Sequence, residues 1–447
     1  MKVQLFKYWE TVRTSFWFIP AVMVFMAVVL AAAAIQLDRL TMARGWLFWV
    51  WVFTGEAEGA SAVLSIIAGS MTTIAGVVFS MTLVALSLAS SQLGPRLLQN
   101  FMRDTITQIV LGTFVATFLY CVMVVLAIRR GEADPFVPHL SVTLGVILAV
   151  ISLGVLIYFI HHVARSIQAN QVVAQVGRDL VDVLERLFPE HISQGANDAL
   201  AASPHADFLR RFEREAEPVC ASADGYLQFI DANALISLAV REDLVIHLDC
   251  HPGHYMVAGR PLLRVWPAGQ RGDEFAQEVN AAFALGNQRT PNQDIEFAFY
   301  QLVEMAVRAL SPGINDPFTA IACVDRISSA LCRLATREMP SPYRHDDDGQ
   351  LRVIAQSPSF PAMLDAGFDQ IRQHGRSNVA VSIRLMETLA VITTFAHRPA
   401  DRAALLRQAE MIRRGAWQSV PEQEDREALE QSYRAVKQVL EASVQEN

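Results

Sequence analysis

The residues with the most chemical potential lie between positions 289 and 326. Arg289, Asp294, Glu304, Arg308, Ser311, Asn315, Asp316, Asp325 and Arg326 bring charge and hydrogen-bonding groups into an otherwise apolar stretch. Such a set can build a buried ion network, hold an ion or a small ligand, or carry catalysis. Catalysis would need a nucleophile beside a base, or two carboxylates held at a set separation. No nucleophile–base pair stands out, and nothing in the spacing of Asp294 and Asp325 fixes their distance. No phosphate-cradling or dinucleotide glycine pattern is present. A structural network is therefore the first reading, a ligand or ion site the second, and catalysis the third. No catalytic residue and no cofactor is assigned.

The centre of this region is ALSPGINDPFTA, Ala309–Ala320. Two prolines end one helix and start another. Gly313 is expected to supply a left-handed backbone, and Asn315 to cap the helix that begins near Pro317. On that reading Asn315→Ala costs about 0.5–2 kcal/mol and Asn315→Ser costs little. Upstream, Thr290 is the expected cap of the preceding helix, with Pro291 and Asp294 in its first turn.

His247, Cys250, His251 and His254 form the most metal-like cluster, yet they complete no known ligand spacing. They are read as polar turn residues, and no metal is assigned. The five cysteines make no CxxC pair, so neither disulfides nor a zinc site is implied.

The elements that position these groups fall into two halves. The chain is 52% hydrophobic and 18% charged, well below the roughly 25% charge of typical soluble domains. The deficit sits in residues 1–165, which contain four long apolar runs: Phe16 to about Leu37, Ser61–Leu88, Ile106–Ile128 and Leu140–Ile160. About 20 apolar residues suffice to cross a bilayer as a helix. The first run is too long for a signal-peptide core and has no clear cleavage site. Residues 1–165 hold ten basic and seven acidic side chains; the total of −8 therefore leaves −11 on the remainder. A part that acidic argues against nucleic-acid binding.

Basic residues flank the runs unevenly. Lys2, Lys7, Arg13, Arg96, Arg103 and Arg165 lie on one side, which the positive-inside rule makes cytoplasmic. Both termini are then cytoplasmic. Trp46, Trp49 and Trp51 after the first run are an interfacial anchor on this reading.

The second run differs from the others. Ser65, Gly69, Thr73, Gly76, Ser80, Ser87 and Ser91 fall on one helical face. Such a stripe either packs against another helix or lines an aqueous path. Gly94-Pro95 ends the helix. Gln108, Gly112, Thr113 and Thr117 add polarity to the third run. No acidic residue or lysine is placed inside any run, which argues against carboxylate-driven transport. Gln108, His161, His162 and Arg165 are candidate membrane-boundary residues.

Beyond the runs, the expected organisation is a connecting helix and loop over 166–222, a small β-rich subdomain over 223–268 and a mainly helical domain over 269–447. Strands are expected at Tyr226–Ile230, Leu244–Leu248, Tyr255–Val257, Leu262–Trp266 and Leu351–Ile354. The last four helices are expected near 361–374, 379–396, 401–420 and 422–442. The fold class is a multispan α-helical membrane protein with four transmembrane helices and a mixed α+β cytoplasmic region.

The segments LASSQLGPRLLQNFMRD, YFIHHVARSIQ, GYLQ, RTPNQDIEFA and RALSPGINDPFTA together resemble the bacterial predicted-membrane-protein family DUF2254. The resemblance covers nearly the whole chain and implies a bacterial inner-membrane protein. It implies no substrate, reaction or catalytic residue. The leading functional expectation is an oligomeric channel-like pore with a cytoplasmic regulatory domain and the stripe along its path. Its partners would be the lipid bilayer, further copies of the chain, and ions or a small cytoplasmic ligand. The alternative is a membrane-anchored sensor or scaffold. A lipid-modifying enzyme using His161, His162 and the Asn315–Asp316 turn comes third.

Overall fold

A computed structural model describes residues 17–44, 56–94, 104–129, 136–166, 168–188, 204, 206–269 and 271–445. The Trp46–Trp51 anchor and Pro95 lie outside the described residues. The chain forms two compact units, one reaching Gln171 and one starting at Val172.

The membrane unit holds four helices: α1 (Phe18–Arg44), α2 (Ala57–Leu93), α3 (Thr105–Ala127) and α4 (His139–Ser166). All four are long and apolar enough to cross a bilayer. The inner core is built from Ala31, Leu64, Phe114, Tyr120, Val142 and Phe159, each fully buried. Outward-facing Phe25, Ile66, Val150 and Ile157 are more than half exposed, as a lipid-facing surface requires. Gly112 lets α1 and α3 approach closely. A Cβ there would fall 2.6 Å from Met23 Sδ and 3.2 Å from the Pro20 backbone.

One expectation is corrected here. The first apolar helix extends past Leu37, and its spanning segment, Phe18–Leu40, takes in Asp38. This carboxylate is 4% exposed. It accepts the backbone N–H groups of Leu140 and Ser141, both at 2.9 Å, and the Ser141 hydroxyl at 2.6 Å. Asp38 thus caps the start of α4 from α1, satisfying amides that no intrahelical carbonyl can reach. Tyr120 closes the same corner by donating its hydroxyl to the Ser141 carbonyl. Halfway along, Thr117 and Ser152 share a buried hydrogen bond of 3.1 Å.

The second unit begins with α5 (Ala169–Leu187) and α6 (Ala206–Glu215). There follow β1 (Glu217–Cys220), β2 (Gly225–Ile230), α7 (Ala232–Arg241), β3 (Val245–Leu248), β4 (Tyr255–Met256), β5 (Pro261–Trp266), α8 (Asp273–Ala281) and β6 (Phe283–Gly286). Next come α9 (Ile295–Ala309), α10 (Pro317–Thr336), β7 (Tyr343–His345) and β8 (Leu351–Ile354). The chain closes with α11 (Phe360–Gly375), α12 (Val379–Thr393), α13 (Pro399–Ser419) and α14 (Gln423–Gln445).

The strands form a five-stranded sheet ordered β1-β5-β3-β8-β7 and a three-stranded sheet ordered β4-β2-β6. All pairings are antiparallel except β3 with β8. Leu227, Ile246, Met256, Leu262, Val279 and Val353 lie in the core between them. The β-rich part is therefore two sheets, and it recruits β8 from beyond position 350. Helices α9–α14 form a separate apolar layer around Phe299, Ile327, Phe368, Leu385 and Leu389.

Candidate functional site

The seven stripe residues of α2 all face away from the rest of the chain. Ser65, Gly69, Thr73, Gly76, Ser80, Ser87 and Ser91 are exposed. The opposite face, with Ala60, Leu64, Ala68, Met71, Val78 and Ala85, packs inward. A Cβ at Gly69 or Gly76 would meet nothing within 4 Å. The Thr73 hydroxyl returns to its own helix at the Gly69 carbonyl, and Ser91 to that of Leu88. Ser65, Ser80 and Ser87 have no hydrogen-bond partner among the described residues. At about 1.5 Å per residue, the 37-residue helix is about 55 Å long, well beyond the roughly 30 Å hydrocarbon core.

Asp104 caps α3 by accepting from the N–H groups of Ile106 and Thr107 and the Thr107 hydroxyl. The same carboxylate meets His162 Nε2 of α4 at 3.0 Å, and Tyr158 stacks on that imidazole. His162 is thereby fixed in a structural pair, whereas His161 and Arg165 are exposed. Arg165 lies in the last turn of α4, where a cation complements the helix dipole. Gln108 is buried on α3.

In the second unit, the charged residues of 289–326 do not converge on one point. Most fall in three places, while the Arg326 side chain packs against Gly177 of α5. Arg289 and Asp294 form a two-pronged ion pair of 2.6 and 2.8 Å at the start of α9. Asp294 also caps that helix, accepting the Phe297 N–H at 3.0 Å. The cap is therefore Asp294, and Thr290 lies in the preceding turn. The Arg289 guanidinium stacks over Phe297 and Tyr300. Burial weakens its hold on the proton, but the Asp294 and Glu296 carboxylates more than compensate and raise its pKa.

The Gly253 turn presses onto this pair. Its φ is +94°, and a Cβ would collide with the Asp294 carboxylate and lie 2.7 Å from Arg289 Nη2. The His251 and His254 rings flank the turn with centroids 3.6 Å apart. His254 is held below its ordinary pKa by burial first, then by His251, Arg260 and Arg289. A depressed histidine pKa leaves the unfolded chain binding more protons once the pH falls below about 6.5. Stability of this unit is therefore expected to decline from about pH 6.5 downward, and His254→Gln to flatten that decline. Urea-dependent proteolysis at pH 7.5 and 5.5 checks this, and an unchanged slope in the variant contradicts it.

Cys250 and His247 point elsewhere. The Cys250 thiol donates to the Leu262 carbonyl, and burial pushes its pKa up to about 12. His247 Nδ1 lies 3.2 Å from Asp249. Among the described residues, no three histidine, cysteine or acidic side chains are arranged to hold a metal ion.

The second place is the turn between α9 and α10. Its backbone is closed by Asn315 N–H to the Ser311 carbonyl and Asp316 N–H to the Ala309 carbonyl, both at 2.8 Å. The Ser311 hydroxyl donates to the Arg308 carbonyl. Asp316, not Asn315, caps α10: it accepts from the Thr319 N–H and hydroxyl. Asn315 instead takes the left-handed conformation, with φ +50°, and Gly313 does not. This reverses the mutational expectation. Asn315→Gly should be tolerated, whereas Asn315→Ser should cost about 1 kcal/mol for its left-handed backbone. Asp316→Ala should cost about 0.5–2 kcal/mol. Urea titration of the three variants decides between the two caps.

The third place is one face of α10 and α12. Asp325 pairs with Arg384 at 2.6 Å, and Arg384 with Glu387 at 2.9 Å. They line a cleft of about 310 Å3 with Ser328, Cys332 and Thr388. The whole of α9 separates Asp294 from Asp316, about 22 Å for 15 residues. Asp294 is taken up by Arg289 and the α9 cap, and Asp325 by Arg384, so each carboxylate has its own partner.

A family model described as a predicted membrane protein, DUF2254, matches residues 13–391. An uncharacterized protein of Mycobacterium tuberculosis strain H37Rv is 32% identical over 422 residues, which is 93% of this chain and 79% of that protein. An uncharacterized protein of Mycobacterium bovis matches with the same identity and coverage. No solved structure matches the chain.

Proposed function

The chain belongs to the DUF2254 family of predicted membrane proteins, and from that premise we propose that it works as an oligomeric channel-like pore. One observation supports this most: the outward face of α2 presents three unpartnered hydroxyls, Ser65, Ser80 and Ser87, beside two open glycines. A hydroxyl without a partner is costly in hydrocarbon. Water in a shared path, or a second copy of the chain, would satisfy it. Four spans are few for a pore inside one chain, so copies arranged around an axis supply the wall.

The charge distribution fits the same reading. The basic flanks favour a reading with both termini on the cytoplasmic side of a bacterial inner membrane. On this reading the second unit, with its excess of acidic residues, is cytoplasmic and attracts cations. Single-particle imaging in nanodiscs tests the arrangement. A symmetric ring with Ser65–Ser91 around its axis is expected; a monomer with that face against lipid contradicts it.

A membrane-anchored sensor is the second reading. It is favoured by the clefts on the helical layer of the second unit. It predicts ligand binding without conductance.

A further inference from the structure

The helical layer has a consistent habit at its helix ends. Arg337 donates to the Phe188 carbonyl past the end of α5. Arg398 donates to the carbonyls of Leu334 and Arg337 at the end of α10. Arg402 reaches Ala396 beyond α12, and Arg426 reaches Val420 beyond α13. Each guanidinium satisfies carbonyls that a helix leaves open.

The end of α11 breaks this habit. Its Gly375 carbonyl already accepts the Asn378 N–H at 2.9 Å and the Ser382 hydroxyl. Two arginines nevertheless stand there, Arg372 and Arg376, and a third, Arg414, faces them from α13. With Gln373, Met411 and Gln418 they line a cleft of about 360 Å3.

The charge in this cleft is under-compensated. Arg372 Nη2 donates to Asp369 at 3.1 Å, but its Nε is buried with no partner. Arg376 makes no hydrogen bond or ion pair among the described residues. Among the described residues, Arg414 has only Glu410, at 3.7 Å, beyond hydrogen-bond length. Elsewhere in the unit, Arg384, Arg398, Arg407 and Arg413 each hold a carboxylate at 2.6–2.7 Å. The acidic excess of this half of the chain makes three converging arginines harder to explain as general surface.

We propose that the cleft between α11 and α13 binds a phosphate group, with Arg372, Arg376 and Arg414 as its ligands. Guanidinium forks match the geometry and charge of phosphate oxygens. The two glutamines add neutral donors to the rim. The volume suits a phosphorylated compound of small-molecule size. The group belongs either to a free metabolite or to a lipid headgroup, since both present the same oxygens.

Calorimetric titration of the full chain with pyrophosphate tests this. The protein is held in phosphatidylcholine nanodiscs, and the ionic strength is matched with chloride. One saturable site per chain is expected. Arg376→Gln and Arg414→Gln should each weaken it at least tenfold. Both side chains are exposed, so these variants should melt like the parent. Arg413→Gln, whose guanidinium belongs to the Glu430 pair, should leave binding unchanged. Repeating the titration in phosphatidylglycerol nanodiscs identifies the source: weaker pyrophosphate binding marks a lipid headgroup, and unchanged binding marks a soluble compound. No saturable heat, or equal affinity in the parent, Arg376→Gln and Arg414→Gln, overturns the assignment.

Discussion

Replacing Asp294 by alanine is expected to destabilise the second unit by about 3–5 kcal/mol, the loss typical of breaking a buried ion pair. The carboxylate is 4% exposed and has two tasks. It holds both prongs of Arg289 and caps α9. Its removal leaves a guanidinium confined between Phe297, Tyr300 and the Gly253 turn with its main counter-charge gone. Asp294→Asn should cost less, because the amide oxygen still accepts the Phe297 N–H. The double variant Arg289→Met/Asp294→Asn should recover part of the loss, since no buried charge remains. Pulse proteolysis of the full chain in urea measures all three. A cost below about 1 kcal/mol for Asp294→Ala would show that water or Glu296 replaces the lost partner.

The membrane unit has an equivalent point at Asp38. Alanine there abandons two backbone N–H groups and one hydroxyl. Each unsatisfied buried donor costs about 1–3 kcal/mol; the hydroxyl can turn to another acceptor, so the two N–H groups set an expected loss of about 2–6 kcal/mol. Asp38→Asn keeps one acceptor oxygen and should lose roughly half as much. Titration of the folded chain with SDS in mixed micelles reports the difference. Wild-type stability in Asp38→Ala would mean that α4 does not need a cap supplied from α1.

These two aspartates show what the sequence could and could not disclose. The four apolar helices were legible because length and the absence of charge suffice to mark a span. The role of Asp38 was not, because its partners lie more than 100 positions away and only tertiary packing joins them. Asp294 was visible as a first-turn acid, yet local spacing could not choose between it and Thr290 as the cap. At Asn315–Asp316 the two best capping residues are adjacent. The choice turned on which tolerates a left-handed backbone, and asparagine does so more readily than most residues.

The strands divide along the same line. Gly225–Ile230 and Pro261–Trp266 carry strong β patterns and were expected within a residue. Glu217–Cys220, Phe283–Gly286 and Tyr343–His345 are three or four residues long. They exist because a partner strand is present, not because of their own propensity. The cleft at Arg372, Arg376 and Arg414 was hidden for a related reason. Charged residues on two amphipathic helices look like solvated faces until the packing of α11 against α13 sets them together.

The reading of the α2 stripe rests on water reaching Ser80. Ser80→Cys in a background with Cys220 and Cys332 replaced by serine tests this directly. The protein is reconstituted in a planar bilayer and a charged, membrane-impermeant methanethiosulfonate reagent is added. The pore account predicts a measurable current that falls when the reagent attaches at position 80, and no such fall in the serine parent. A silent bilayer under varied voltage, tension and pH, with the cysteine unreactive, would contradict it.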